Sequence, residues 1–258
     1  MQRNTLLITI WIRLTEHERV PIGVKYYNPR VSFDGLHWFL IVAVETEVKS
    51  AIKPVNQGIG IDLGIRRLAI CSDGPMYKNI NKTGRVRQIK KKQRRLQRRI
   101  SRKYRLNKKG EKFQKTRNII KSEKKLLKIV HRLTNIRTNY IHHVINEIIK
   151  RVPSFIVLED LNVKGMMRNR SRARAIQEEK WGDFYSIMQY KCEWNGINFI
   201  SANRRYPSSK RCHVCGYIKK DLKPNETIYK CPVCGLVLDR DINASYNLYQ
   251  YGELAVNQ

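Results

Sequence analysis

The stretch "QGIGIDLGIRRLAICSDG", Gln57 to Gly74, reads as a buried strand, a tight turn and a second strand. An aspartate, Asp62, stands in the first strand among Ile59, Ile61 and Leu63. Strand side chains alternate faces, so Ile59 and Ile61 share one side while Gly60 and Asp62 share the other. A lone carboxylate among apolar neighbours is costly unless something positive meets it. On this stretch alone, an ion pair, a strand end near solvent and a chemical role all remain open.

The whole chain sets the frame for that residue. At 258 residues it is long enough to bury a proper core. Lys and Arg number 52 against 21 Asp and Glu, a formal net charge of +31. Such a surface points to a polyanionic partner, nucleic acid first, without specifying an activity. The N-terminal "TLLITIWI" is too short for a membrane span and lacks a small-residue cleavage site. No targeting segment is visible, and the reading is cytoplasmic. Cys71 and Cys192 stand alone in apolar surroundings and read as packing residues of a reducing compartment.

Residues 1–50 are rich in β-branched and aromatic groups. "LLITIWIRL", "VPIGVKYY" and "HWFLIVAVETEV" read as short strands, with turn chemistry at Asn28-Pro29 and Asp34-Gly35. "AIKPVNQ" links this element to the hairpin around Asp62. From Arg85 to Arg132 the composition changes abruptly: 48 residues hold 22 Lys or Arg and two acids, Glu111 and Glu123. Apolar residues nevertheless recur at helical spacing, first Ile89, Leu96 and Ile100, then Leu126, Val130, Leu133, Tyr140 and Val144. "NKKG" at 107–110 interrupts the pattern. The expectation is a long antiparallel helical hairpin over 85–151 with a narrow apolar seam and a broad cationic face. About twenty unbalanced positive charges repel one another unless an anion lies along them. Candidate contacts to that anion are Arg87, Lys91, Arg94, Arg95, Arg98, Arg99, Arg102 and Lys103.

Pro153 ends the second helix, and "SFIVLEDLN" follows, apolar on both faces from Phe155 to Leu158. That is the pattern of an interior strand, and Glu159 closes it. A loop bearing Lys164, Arg168, Arg170, Arg172 and Arg174 comes next, with Arg168 and Arg170 as further nucleic-acid candidates. "AIQEEKWGDFYSIMQYKCEWNG" reads as one helix, with Ile176, Trp181, Tyr185, Met188 and Cys192 assigned to core, and "INFISAN" as another strand.

"CHVCG" and "CPVCG" place Cys212, Cys215, Cys231 and Cys234 as C-x2-C-x15-C-x2-C. Two residues between cysteines let both thiolates grip one ion, and Gly216 and Gly235 allow the backbone to turn beneath it. Four thiolates close a tetrahedral zinc site with no open position, so its role is structural. Two disulfides are the competing reading and suit an intracellular chain poorly. His213 and Asp221 are nearby alternative ligands. After this ribbon, "LVLDRDINASYNLYQYG" puts Ile242, Tyr246 and Tyr249 on one helical face, with Asp241 at the helix start. An ordinary N-cap accounts for such an acid, and Asp239 competes with it for any chemical role.

In order, "GIDLGIRRLAI", "IVLEDLNVKGM", "WGDF…YKCEWNG", "YPSSKRCHVCG" and "CPVCG…DRDINASYNL" closely resemble the TnpB family. These are transposon-encoded RNA-guided DNA nucleases formerly called OrfB transposases, relatives of the type V CRISPR effectors. The resemblance covers roughly residues 55–250, and the ordered set is far more specific than any one motif. A G-I-D-L-G hairpin also resembles the phosphate loop of actin-like ATPases, but no glycine-rich adenosine-binding segment follows.

The resemblance implies an α/β, RNase H-like (RuvC-type) core with a basic helical hairpin insert, a zinc ribbon insert and a small N-terminal β element. Its divisions would be 1–54, a partial wedge-like β element; 55–204, the core with the hairpin; 205–238, the ribbon; and 239–258, the final core segment. Asp62, Glu159 and Asp241 would converge as the catalytic acids. Three carboxylates within about 4 Å repel pairwise by roughly 4 kcal/mol at an effective dielectric near 20, which a divalent cation relieves. Oxygen ligands and a phosphodiester favour Mg²⁺ or Mn²⁺. The hairpin would lie along a guide RNA–target DNA duplex, and Lys210 and Arg211, entering the ribbon after Ser208 and Ser209, would help load single-stranded DNA.

The family carries a longer N-terminal part, with a helical recognition insert that is not evident here. The expectation is therefore a member short at its N-terminus, with an inert fragment whose missing lobe a self-dimer or another chain supplies as a second reading. A repressor or accessory factor that binds without cutting is the alternative. Loss of an acid would mark it, and all three are present. A DDE-type transposase on the same fold ranks lower.

Overall fold

The computed structural model describes residues 14–16, 18, 20–45, 57–223 and 226–257. The chain divides into two compact units, Met1–Glu47 and Val48–Gln258. Most of "LLITIWIRL" and the linker at 51–56 lie outside the described residues.

In the first unit, β1 (Tyr26–Phe33) pairs antiparallel with β2 (Trp38–Val44). The Asp34 carboxylate builds the turn by accepting from the backbone N–H groups of Leu36 and His37, both at 2.8 Å. Asn28-Pro29 is not a turn. It forms a bulge inside β1, where the register shifts between Tyr27 and Arg30 and Asn28 takes φ 46°. Proline has no N–H for the ladder, so the strand bulges there and continues.

The second unit is built on a five-stranded mixed sheet, β3 (Ile59–Leu63), β4 (Arg67–Cys71), β5 (Met76–Lys78), β8 (Phe155–Glu159) and β9 (Asn198–Ala202), in the order β5-β4-β3-β8-β9. A short 3-10 turn, Ile80–Lys82, leads to α1 (Gly84–Leu106). A two-rung ladder of β6 (Lys108–Lys109) and β7 (Lys112–Phe113) then returns the chain to α2 (Arg117–Ile149). Thr83 and Thr116 cap the two helices through their hydroxyls. Val86, Ile89 and Leu133 form the buried seam between them.

β8 (Phe155–Glu159) lies parallel to β3, and β9 (Asn198–Ala202) parallel to β8. Between β8 and β9 run α3 (Val163–Met166), α4 (Arg170–Glu179) and α5 (Trp181–Asn195). The single helix expected over 175–196 is thus broken at Lys180, which adopts a left-handed φ of 54°. The break turns Glu179 inward to accept from the Asn79 amide at 2.6 Å, and buries Trp181 at the start of α5. After β9, β10 (Ile228–Lys230) and β11 (Val237–Asp239) form the ribbon hairpin, and α6 (Arg240–Val256) ends the described chain.

The two faces of the sheet have different covers. Ile59, Ile61, Ile156 and Leu158 pack against Ile141, Val144, Ile145 and Ile148 of α2 and Phe184 and Met188 of α5. On the opposite face Phe155, Val157 and Ala202 meet Leu248 of α6. Gly60 lies on this second face, where a Cβ would strike the backbone of Ser245 and Tyr249. Glycine is required because helix and strand touch backbone to backbone.

Candidate functional site

Register places the first two acids. Ile59, Gly60 and Ile61 pair with Ile156, Val157 and Leu158 in parallel, so Asp62 and Glu159 occupy the next step on adjacent strands. Alternation turns both toward the α6 face, in line with Gly60 and Val157. The close approach at Gly60 then brings the first turn of α6, with Asp241, to the same end of the sheet.

Asp62 is 8% exposed. Burial holds its carboxyl well above the usual range, and the charges of Glu159 and Asp241 push it higher, with Arg240 opposing them. Burial also raises Glu159, and the hydroxyl of Ser208, which donates to its Oε1, partly offsets that rise. Ser208 is itself 3% exposed. Asp239 serves as the N-cap of α6, accepting from the N–H of Asp241 at 3.0 Å and of Ile242 at 3.4 Å. Arg66 and Arg67 approach the Asp239 carboxylate at 3.7 Å. The capping duty therefore falls on Asp239, which leaves the Asp241 side chain for the acid cluster, 3.6 Å from Arg240 Nε.

The acids are neighbours without closing into a tight ligand set. Among the described residues, the group of metal-binding side chains whose donor atoms all lie within 4.8 Å of one another is Cys212, Cys215, Cys231 and Cys234. None of these cysteines is in a disulfide. Gly216 and Gly235 take φ of 76° and 73°, and their N–H groups donate to the Cys212 and Cys231 carbonyls at 2.9 and 3.1 Å. Four free thiols on two such turns have the donor chemistry and spacing of a zinc site. His213 and Asp221 are outside it; the His213 ring nitrogen instead lies 3.0 Å from the Asn243 side-chain oxygen.

The entry to this ribbon is clamped to α6. Asn247 donates to the carbonyls of Ser208 and Arg211 at 2.8 and 2.7 Å, and Asn243 donates to Arg211 at 2.6 Å. The four-cysteine ribbon, Ser208 and the helix bearing Asp241 are thereby one connected piece of structure.

The basic candidates separate into two groups. Arg87, Lys91, Arg94, Arg95, Arg98, Arg99 and Arg102 are exposed along α1, and Arg168, Arg170 and Lys210 are exposed elsewhere. Arg94, Arg98 and Arg102 border one shallow groove with Arg105. Lys103 is different: its ammonium donates to the Asn118 carbonyl and Ser122 hydroxyl of α2 at 3.1 and 2.9 Å. It fastens the hairpin, a role its place in a basic run concealed. Arg211 is half-buried, with its guanidinium beside Gly216, so it packs on the ribbon turn. Sequence reasoning also missed the buried contact of Ser208 to Glu159, since nothing local marks a serine 49 residues away as its partner.

Among the described residues, no helix is long and apolar enough to cross a membrane. The family model OrfB_IS605, described as "Probable transposase", matches residues 41–170, and the Cas12f1-like TNB domain matches 181–248. Two similar curated proteins are called "Putative RNA-guided DNA endonuclease". The Streptomyces pristinaespiralis protein is 31% identical over 234 residues, 90% of this chain and 54% of its own length. The Escherichia coli protein InsQ is 27% identical over 257 residues, 94% of this chain and 60% of its own length. The chain thus spans a little over half the length of these relatives. A solved Cas12f1–sgRNA–target DNA complex shares the fold at TM-score 0.57 and 17% identity, covering 82% of this chain and 42% of that one. With the OrfB_IS605 family model covering half of its residues, the chain belongs to the OrfB family of transposon proteins, the TnpB family.

Proposed function

We propose that this chain carries a RuvC-type, RNase H-like nuclease core that hydrolyses DNA phosphodiester bonds under RNA guidance. Asp62, Glu159 and Asp241 would be its metal-binding acids. The observation that carries the reading is the placement of Asp62 and Glu159 at one register step on adjacent parallel strands, beneath the first turn of α6. Nucleic-acid partners are supported by the charge of +31 and by the relatives' names.

The acids suit Mg²⁺ or Mn²⁺: they are oxygen donors in a partly dry site, where burial first and their mutual repulsion second raise Asp62. When bound there, a pair of divalent ions would supply a water of lowered pKa and neutralise charge at the departing 3′ oxygen. In this reading Asp62 would serve as a ligand to both ions, with Glu159 and Asp241 each holding one. Ser208 fixes the orientation of Glu159, and the Asp239 cap keeps Asp241 from spending its oxygens on the helix end. In the hydrolysis the water oxygen would bond to phosphorus, the bond from phosphorus to the 3′ oxygen would break, and the proton lost by the water would be balanced by one gained at that 3′ oxygen. The four cysteines would hold structural Zn²⁺.

The test is cleavage of labelled single-stranded DNA in Mg²⁺ by the parent and by Asp62→Ala, with and without RNA co-purified from cells. Cutting by the parent that is lost in the variant is the expected result, and dependence on the RNA would establish guiding. Salt-sensitive binding with no cutting under either condition would replace this reading with that of a non-cleaving binder.

A further inference from the structure

One loop holds two consecutive acids at the end of β8. Ser208 donates its hydroxyl to Glu159 Oε1, and four residues earlier Arg204 grips Asp160. The Arg204 Nη2 donates to the Asp160 carboxylate at 2.6 Å, and its Nε donates to the Asp160 main-chain carbonyl at 3.3 Å. The Asp160 N–H in turn donates to the carbonyl of Ala202, where the loop leaves β9, at 3.4 Å. Three bonds thus fix the start of the loop to the residue that follows Glu159. Between the two grips the chain is tightly wound. Asn203 accepts from the Arg205 N–H on its side chain at 2.9 Å and from the Tyr206 N–H on its carbonyl at 2.8 Å. The Ser208 N–H then donates to the Tyr206 carbonyl at 2.9 Å.

We propose that Arg204 is a positioning residue of the acid site: its clasp on Asp160 sets where the loop stands, and so carries the Ser208 hydroxyl onto Glu159. The inference rests on the nuclease reading above and adds to it a residue that acts on a metal-binding acid through another. Exposure argues against a part in global stability, because the two side chains are 56% and 45% exposed and such ion pairs contribute little. Geometry argues for a local part. A planar guanidinium that meets both the carboxylate and the carbonyl of one residue fixes orientation as well as distance. Tyr206 and Asn247 tie the loop to α6, and the Arg204 clasp adds the tie to β8, the strand that carries Glu159.

The sign of the effect on metal binding separates this role from plain electrostatics. Removing a positive charge beside the acids would by itself tighten the binding of a divalent cation, whereas removing a positioning residue loosens it. Mn²⁺ at the acids is identified as the paramagnetic-resonance signal that Asp62→Ala lacks. It is titrated in the parent, Arg204→Gln, Arg204→Lys, Ser208→Ala and the combination of Arg204→Gln with Ser208→Ala. Amide hydrogen exchange over 203–211 and thermal melts are measured on the same proteins and on Asp160→Asn.

Arg204→Gln should raise the Mn²⁺ concentration for half-occupancy by about 10-fold, the lower end of the cost of losing a group that orients a metal ligand. Arg204→Lys keeps the charge without the two-pronged grip and should fall between parent and Arg204→Gln. In the Ser208→Ala background, Arg204→Gln should add less than about 2-fold, since the two residues act in series. Exchange over 203–211 should quicken in Arg204→Gln and Asp160→Asn alike, with melting temperatures nearly unchanged. Unchanged or tighter Mn²⁺ binding in Arg204→Gln, or an equal loss with and without Ser208, would overturn the proposal. A parent with no Asp62-dependent Mn²⁺ signal would count against the nuclease reading; exchange over 203–211 would then decide the clasp, upheld if Arg204→Gln quickens it and overturned if not.

Discussion

Gly60 and Tyr249 meet backbone to backbone: a Cβ on Gly60 would fall well inside contact distance of the Tyr249 amide nitrogen, and 2.8 Å from the carbonyl carbon of Leu248. This close approach sets the height of α6 above β3, and with it the distance from Asp241 to Asp62. Gly60→Ala should force strand and helix apart. We expect a loss of about 1–3 kcal/mol in stability from overpacking, and a larger proportional loss of cleavage. Denaturant melts and cleavage rates on the same preparation check both; an alanine variant that cuts normally would show that helix height does not matter.

Ser208→Ala removes the hydroxyl that donates to Glu159 without changing the ribbon cysteines. A hydrogen bond to a charged group is worth about 1.5–3 kcal/mol, so cleavage should fall roughly 10- to 100-fold. The Mn²⁺ concentration for half-occupancy, read by paramagnetic resonance, should rise, while zinc content stays constant. Unaltered Mn²⁺ affinity would reduce Ser208 to a packing residue.

Elemental analysis should find one zinc per chain, lost in Cys231→Ser. Structural zinc contributes on the order of 10 kcal/mol to folding small domains of this kind. Since Asn243 and Asn247 tie the ribbon entry to α6, chelation should also weaken divalent-ion binding at the acids. A ribbon that loses zinc while the acid site keeps its full Mn²⁺ affinity would contradict that linkage.

Replacing Arg94, Arg98 and Arg102 together by Gln should weaken nucleic-acid binding and lower the salt slope by about one for each phosphate no longer neutralised. The parent should lose roughly 10³–10⁵ in affinity between 50 and 200 mM salt if it neutralises six to ten phosphates. Lys103→Gln should instead destabilise the hairpin, because that ammonium holds α2. Binding isotherms at several salt concentrations, paired with thermal melts, separate the two effects.

Glu179 is pushed up to about 7, chiefly by burial, with Asn79 and Asn81 opposing. A carboxyl raised in the folded state from 4.5 binds its proton more tightly there than in the unfolded chain. Its stabilising effect is complete below about pH 4.5 and is lost as pH rises through 7. Glu179→Gln should remove this slope, making the variant relatively more stable than the parent above pH 7, by on the order of 3 kcal/mol. Melting temperatures from pH 4.5 to 8 test it; parallel curves for the two proteins would refute it.

Local signals carried the pieces of this fold whose cause is local. Alternation around Asp62, the apolar run ending at Glu159 and the helical spacing from Leu126 to Val144 each depend on neighbours a few residues away, and each lies on a strand or helix of the expected type. The two Cys-x-x-Cys pairs had the same advantage, since the geometry of each thiolate pair is set by its own turn. Distant partners defeated the same reasoning. Lys180 breaks a helix because Glu179 finds Asn79, a hundred residues earlier, and Lys103 faces α2 rather than solvent.

By itself, then, the sequence determined the chemistry available: three acids, four thiols, an excess of cations and the order of motifs that marks the family. Tertiary structure alone decided how those groups are used. Parallel register aligns Asp62 with Glu159, the close approach at Gly60 brings in Asp241, the Asp239 cap releases it, and a buried serine from the ribbon entry orients Glu159. Residue type and spacing are written along the chain, whereas which groups meet depends on packing between segments that the chain keeps far apart.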